Sequence, residues 1–395
     1  MIAHYIPGPV AGYLLKWLGA EVIKVEPPFG DLMRQLPPFI EHAAGGEKEA
    51  AYFRAINGGM KSISVNFKTG QGLEVLEKLI KRSDVVIDGN RAGYLESILK
   101  KSVPSINKEV VYIPITAYGL KGPMRDVAGH DNNILGLAGS LSYGGGLDSE
   151  GLPVVFGSQL ADITAGYLAA LMAVAGLYSR GNAACSGAKI NTIDVSMLHA
   201  AFFLNQIYVA AMSAGQKEQA AGPRPGKELL NGGLANYRMY RTKNGKAVFF
   251  GPIEPNLFKN FLDKIGRADL LELREESGDK LARELEAVFL TKTREEWVEL
   301  LKGVDCCLTP VNSLEEALRE PQIRALGLVC DTGDEGLRIA GFPAGFTEQG
   351  LQPEGLSQKA PLIGEHTREI LSGLLGYSDN DMDALFRTGS VKGNA

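Results

Sequence analysis

Three short stretches set titratable side chains among apolar or small neighbours. "VAGHDNNILGLAG" (127–139) places His130 beside Asp131, "SQLADITAG" (158–166) puts Asp162 ahead of an apolar run, and "GPIEPNLF" (251–258) holds Glu254 between two prolines. An imidazole and a carboxylate both exchange protons near neutrality, so His130 and Asp162 could act as general acid and base. Each residue also has a plain structural reading. His130 could end a loop, Asp162 could start a helix capped by Ser158, and Glu254 could open the helix that follows it. Ala165 and Gly166 are small enough to leave room for a ligand near Asp162. His4, His42, His199 and His366 are weaker candidates: His199 lies in the helical run "SMLHAAFF", and His366 stands at a helix start with Glu365 and Thr367.

Positioning such groups is the task of the surrounding elements. "AEVIKVE" (20–26), "DVVIDG" (84–89), "EVVYIPIT" (109–116) and "KINTIDVS" (189–196) read as strands. "GQGLEVLEKLIKRS" (70–83) and the stretch 159–180 read as helices. This alternation implies βαβ units and a parallel sheet, an α/β fold with a Rossmann-like large domain. Residues 214–233 are rich in Gly, Pro, Lys and Gln and read as a crossing segment. "ANYRMYRTKNGKAVFFG" (235–251) is a hairpin with an Asn-Gly turn, followed by helices near 256–265, 277–291 and 294–302, a smaller α/β domain. The expected organisation is therefore a large domain over 1–200 completed by 345–395, a linker at 201–233, a small domain at 234–318 and a return linker at 319–344. A final helix is expected over 364–376.

Composition removes several classes of function. The 395 residues are 45% apolar and 22% charged, the balance of a globular protein, and the net charge of −5 argues against nucleic acid as the main partner. Cys185, Cys306, Cys307 and Cys330 lack zinc-ligand spacing and read as reduced, buried thiols of a cytoplasmic protein. The first 15 residues contain no Lys or Arg, so no secretory leader is expected. "ITAGYLAALMAVAGLY" (163–178) has 16 residues, too few to span a bilayer, and reads as a buried core helix rather than a membrane segment. GxxxxGK[ST], HExxH and GxSxG are all missing, so neither a nucleotide loop nor a metal site is expected.

Taken together, "LGAEVIKVEPPFGDLMR" (18–34), "KSISVNFKTGQGLEVLEKLIKRSDVVIDGNRAG" (61–93), "ITAYGLKGP" (115–123), "TIDVSMLHAA" (192–201), "TPVNSLEEALREPQIRALG" (309–327) and "GEHTREIL" (364–371) resemble the family III CoA-transferase superfamily of the CaiB/BaiF type. The resemblance implies an acyl-CoA thioester as substrate, no separate cofactor, and an interlocked homodimer whose linkers thread through one another. Asp162 matches the family's aspartate nucleophile. "GHDNNI" and "GPIEP" further match the α-methylacyl-CoA racemase subgroup, which implies His130 and Asp162 as opposed bases and Glu254 as the partner of His130. Ile134 stands where that subgroup has an aromatic residue.

The family's landmarks place CoA against Val65, Asn66, Phe67 and Lys68, against Gly89, Asn90 and Arg91, and against Gly129, Asp131, Asn132, Asn133 and Ile134. Lys68 and Arg91 would meet phosphates. Pro27 replaces a basic residue that usually does so, and Arg34, Lys61 or Arg91 could compensate. The backbone N–H of Asp162 would serve the enolate oxygen, and 135–146 would line the acyl pocket. The family usually begins with about a dozen further residues carrying a first strand, so that strand is expected to be cut off or short here. A CoA-transferase working through an aspartyl thioester on Asp162 is the alternative activity.

Overall fold

The computed structural model describes residues 1–40, 48–181, 191–214, 222–276, 278–332, 337–344 and 359–393. The chain divides into two compact units: Met1–Ala138 with Ser158–Leu204 and Pro321–Ala395, and Gly139–Gly157 with Asn205–Glu320.

The first unit is built on parallel strands β1 (Ile23–Glu26), β2 (Lys61–Val65), β3 (Val85–Asp88), β4 (Val111–Thr116) and β5 (Val195–Ser196). β1 pairs with β2, β3 with β4 and β4 with β5, all parallel. Residues 1–3 join the two groups. Ile2 N–H donates to Ile87 O at 2.8 Å, Gly89 N–H to Ile2 O at 2.9 Å, and Val25 N–H to Met1 O at 2.9 Å. The resulting order is β2, β1, residues 1–3, β3, β4, β5, with Val391–Lys392 antiparallel on the outer edge of β2. In chain order this is 3-2-1-4-5-6, the doubly wound arrangement. Residues 1–3 thus stand where the first strand is expected, at the centre of the sheet. Its order reverses between residues 1–3 and β3, so the carboxyl-end crevice lies at His4–Tyr5 and Gly89–Arg91.

Val86, Ile87, Val111 and Ile113 are buried, as continuous apolar runs must be when helices cover both faces of a parallel sheet. Helix α1 (Pro7–Trp17) follows the central segment, and α2 (Gly70–Arg82) follows β2. Thr69 Oγ1 caps α2 by accepting Gly72 N–H at 3.0 Å, and Val75, Leu76, Leu79 and Ile80 form its buried stripe. Further on lie α3 (Asp131–Leu137), α4 (Leu160–Gly181) and α5 (Met197–Phe203).

Helix α4 is half buried rather than wholly in the core. By length and composition it could cross a membrane, but Ala161, Ala165, Ala169 and Ala173 are buried along one side, while Ile163, Tyr167, Leu171, Val174 and Tyr178 are exposed along another. The small residues serve packing, not ligand space. A Cβ on Gly166 would stand 2.7 Å from Val10 Cγ1 and 2.8 Å from Pro7 O, on α1. Gly166→Ala gains about 1 kcal/mol of helix propensity but overpacks this contact at about 1–3 kcal/mol. Because one colliding atom is backbone, the clash wins, and urea unfolding should show a net loss of stability.

The second unit holds an antiparallel sheet, β6 (Arg238–Arg241), β7 (Ala247–Phe250) and β8 (Leu308–Pro310), in the order β8-β7-β6. The first two strands form the expected hairpin; β8 has too short an apolar run to be read from sequence. Helices α6 (Pro255–Ile265), α7 (Gly278–Phe289) and α8 (Arg294–Leu300) bury Phe258, Phe261, Phe289 and Trp297 against Tyr240 and Phe250.

Two stretches expected as linkers are partly folded. Residues 206–214 are helical. The return segment carries a helix (Pro321–Ala325) and a hairpin (Val329–Asp331 with Arg338–Ala340), and its Phe342 stacks on Trp17 at 5.3 Å. The expected helix over 364–376 is present over 367–374, α-helical at Thr367–Glu369 and continuing as π-helix at Ile370–Leu374. Cys306 and Cys330 are buried but Cys307 is exposed; Cys185 and His42 lie outside the described residues. His366 Nδ1 accepts Ser62 N–H at 3.2 Å and so braces β2.

Candidate active site

Two helix starts meet through one carboxylate in the first unit. Asp131, the first residue of α3 and only 6% exposed, accepts the backbone N–H of Asp162 at 3.0 Å. The cap of α4 therefore comes from 31 positions upstream rather than from Ser158, and a carboxylate at a helix start is favoured by the dipole. Burial pushes the Asp131 carboxyl up, and the backbone amides of Asp162 and Ala161 pull it back.

Asp162 follows directly in the first turn of α4. Burial pushes its carboxyl up, and the Asp131 charge adds to the effect, to about 7. Two carboxyls sharing one desolvated site cannot both ionise at their ordinary pKa. A pKa near the working pH lets a group take and return a proton with equal ease.

His130 is the N-cap of α3, and its own N–H donates to Asn133 Oδ1 at 3.0 Å. The imidazole is exposed and meets the ring of Tyr5 edge-on, with centroids 5.9 Å apart at 84°. Behind it, a Cβ on Gly129 would lie 2.6 Å from the Tyr118 hydroxyl, so glycine lets that phenol close over the loop. The structure thus joins His130 and Asp162 through Asp131, each at the start of its own helix.

Several expected roles change with the structure. The Asp162 N–H is taken by Asp131 and is not open to an enolate oxygen. Asp131 is a buried cap rather than a surface ligand for CoA. Val65, Ile134 and Leu135 are fully buried and belong to the core, so neither a CoA contact nor an acyl-pocket wall comes from their side chains. Phe67 packs against the core. Gly89 serves the close approach of β3 to residues 1–3, since a Cβ there would stand 2.7 Å from Ala3 Cβ. Asn90 turns inward, donating to Asp88 Oδ1 at 2.7 Å, and Asn66 turns back to Gly389 O and Lys68 N–H. Arg34 donates twice to Glu26, at 2.8 and 2.7 Å, and stacks on Phe53, so the pair carries no net charge for a phosphate. Lys61 is likewise paired, with Glu21 and Glu369. Lys68, Arg91, Asn132 and Asn133 are exposed, and neither of the two cations meets an acidic partner among the described residues.

Glu254 belongs to the second unit, where it is the exposed N-cap of α6. Asn236 Nδ2 holds the turn through Pro252 O at 2.7 Å, and Gly251 N–H donates to Cys307 O at 2.9 Å. Partial desolvation and then the Glu254 charge push the Cys307 thiol up. Neither Cys307 nor Tyr5 was legible as a site neighbour, since each is joined to its partner only by the fold.

Known proteins share this framework over its whole extent. The family model for CoA-transferase family III matches residues 1–367. α-Methylacyl-CoA racemase of Mus musculus is 28% identical over 404 residues, covering 100% of this chain and 97% of the racemase. Succinyl-CoA:glutarate CoA-transferase of Mus musculus is also 28% identical, over 403 residues, covering 99% of this chain and 88% of the transferase. The crystal structure of a CAIB/BAIF family protein from Brucella suis superposes with a TM-score of 0.76 at 27% identity, covering 94% of this chain and 97% of that one. A match of this length, on a sheet of this order with an aspartate at the start of α4, makes the chain a member of CoA-transferase family III.

Proposed function

We propose that this enzyme is an acyl-CoA racemase that inverts the α-carbon of a 2-methyl-branched acyl-CoA by proton transfer through an enolate. The observation that carries the reading is the linked pair of helix starts, with Asp162 desolvated beside Asp131 and His130 immediately before it. A thioester acidifies its α-proton because the enolate spreads charge onto the carbonyl oxygen. One base takes the proton from one face, and a second acid returns a proton on the other. A carboxyl titrating near 7 suits that exchange better than nucleophilic attack, which needs the ionised form throughout.

Glu254 is assigned to orient His130, as the acid partner does in a triad, with the second subunit of an interlocked homodimer as the source of one of the two. The exposed apolar stripe on α4, continued by Phe202 and Phe203 on α5, supports a second copy as partner. Lys68 and Arg91 are assigned to the CoA phosphates, CoA being part of the substrate, and the enzyme is placed in the cytoplasm.

The alternative is a CoA-transferase, favoured by the equal identity to a transferase relative. In it, Asp162 attacks the donor thioester and expels the CoA thiolate to leave a mixed anhydride; the thiolate then attacks the Asp162 carbonyl of that anhydride and expels the donor carboxylate, leaving an aspartyl thioester. Acid quenching with a branched acyl-CoA and no acceptor, followed by peptide mass spectrometry, separates the two. The racemase leaves Asp162 unmodified; a CoA adduct on the Asp162 peptide would overturn the reading.

A further inference from the structure

Tyr5 has a backbone that its surroundings must hold in place. Its φ of +61° puts a bulky residue in the left-handed region, which persists only where neighbouring structure over-determines it. Asp31 supplies that constraint. Its Oδ1 accepts Tyr5 N–H at 3.2 Å, while its Oδ2 pairs with Lys24 Nζ at 2.7 Å. The same ammonium donates to Ala3 O at 3.1 Å, so one buried ion pair fixes the chain on both sides of His4. A buried ion pair is a weak source of stability; here Asp31 caps the turn at Leu32–Gln35 through Met33 N–H at 2.9 Å and with the same oxygen holds the Tyr5 backbone. Tyr5 is 37% exposed, too open for packing to explain its conformation, and its ring meets the imidazole of His130 at right angles.

We propose that Tyr5 is a positioning residue for His130. An exposed imidazole at a helix N-cap samples several rotamers, and a perpendicular aromatic ring with its centroid 5.9 Å away narrows them to those that present the imidazole for proton transfer. The phenol hydroxyl takes no part; the ring and the left-handed backbone beneath it do. The inference rests on His130 being one of the two bases, and it extends the site to the crevice where the sheet order reverses.

The test compares Tyr5→Phe with Tyr5→Gly, the second of which suits the positive φ while removing the ring. The readout is the His130 imidazole C–H resonances, assigned by their disappearance in His130→Asn, together with kcat and KM for α-proton exchange. Tyr5→Phe keeps the His130 signals and the rate. Tyr5→Gly moves the signals through loss of the ring current and lowers kcat about tenfold, with KM nearly unchanged. Unmoved His130 signals in Tyr5→Gly, or an equal loss of rate in both variants, would overturn the proposal. Tyr5→Leu answers the same question if the glycine variant does not fold. Absence of exchange in the unaltered enzyme would count against the racemase reading alone, because the imidazole signals report the contact without turnover.

Discussion

Asp162→Asn lowers α-proton exchange by about 10²–10⁴-fold, the range for loss of a general acid–base group, and makes the protein more stable above neutral pH. Both effects come from the raised pKa of about 7, against 3.8 for an ordinary aspartate. Between those values the folded state holds a proton that the unfolded chain has lost. Folding stability therefore falls as pH rises through that window, and the deficit is complete above about 7. Asparagine never ionises, so it removes the deficit while keeping the shape of the side chain. Urea unfolding at pH 8 should show a gain of about 2–4 kcal/mol, the upper figure being the full shift and the lower allowing for partial solvation. The gain should shrink towards zero as the pH approaches 4. In the unaltered enzyme, the step in which Asp162 is the base speeds up as pH rises through about 7, and that limb should vanish in the variant.

His130→Asn produces an asymmetry that no transferase can mimic. Asparagine is among the best N-cap residues, so α3 keeps its start and the fold is undisturbed. With one of two opposed bases gone, net inversion falls by about 10²–10⁴-fold in both directions, because forms that differ only at the acyl α-carbon interconvert with an equilibrium constant near one. Exchange is not so constrained. The enantiomer whose α-proton faces Asp162 still trades it for solvent deuterium, and the other no longer does. Proton NMR on each enantiomer separately reads the difference. Transfer of CoA to an added acid at an unchanged rate, with exchange lost from neither enantiomer, would remove His130 from the chemistry.

The regular elements were legible because their signals are local. The amphipathic period of 70–83 and the apolar runs at 84–89 and 109–116 each commit a segment on their own, and the helix and strands lie within a residue or two of those bounds. What links distant segments was not legible. Nothing in "GHDNNI" tells that Asp131 caps a helix 31 residues away, so the family pattern offers it as a ligand for CoA and leaves the amide it occupies free. Gly166 and Gly89 look like room or contact for a ligand, since a missing side chain looks the same whether it admits a substrate or another backbone. Likewise, the 163–178 run is apolar nearly all round in sequence, and only packing shows that Ala165, Ala169 and Ala173 face protein while Ile163, Tyr167, Leu171 and Tyr178 are exposed. His130 and Asp162 emerged from the family pattern; Tyr5, whose backbone conformation is set by Asp31, could not.

The most direct test of the central claim is incubation of the enzyme with one enantiomer of a 2-methylacyl-CoA in deuterated water, with no acceptor acid, while the α-proton is followed by NMR. The expected result is loss of the α-proton signal and of the starting configuration at the α-carbon. Retention of both across several branched acyl-CoAs, with CoA passing to a free acid once one is added, would contradict it.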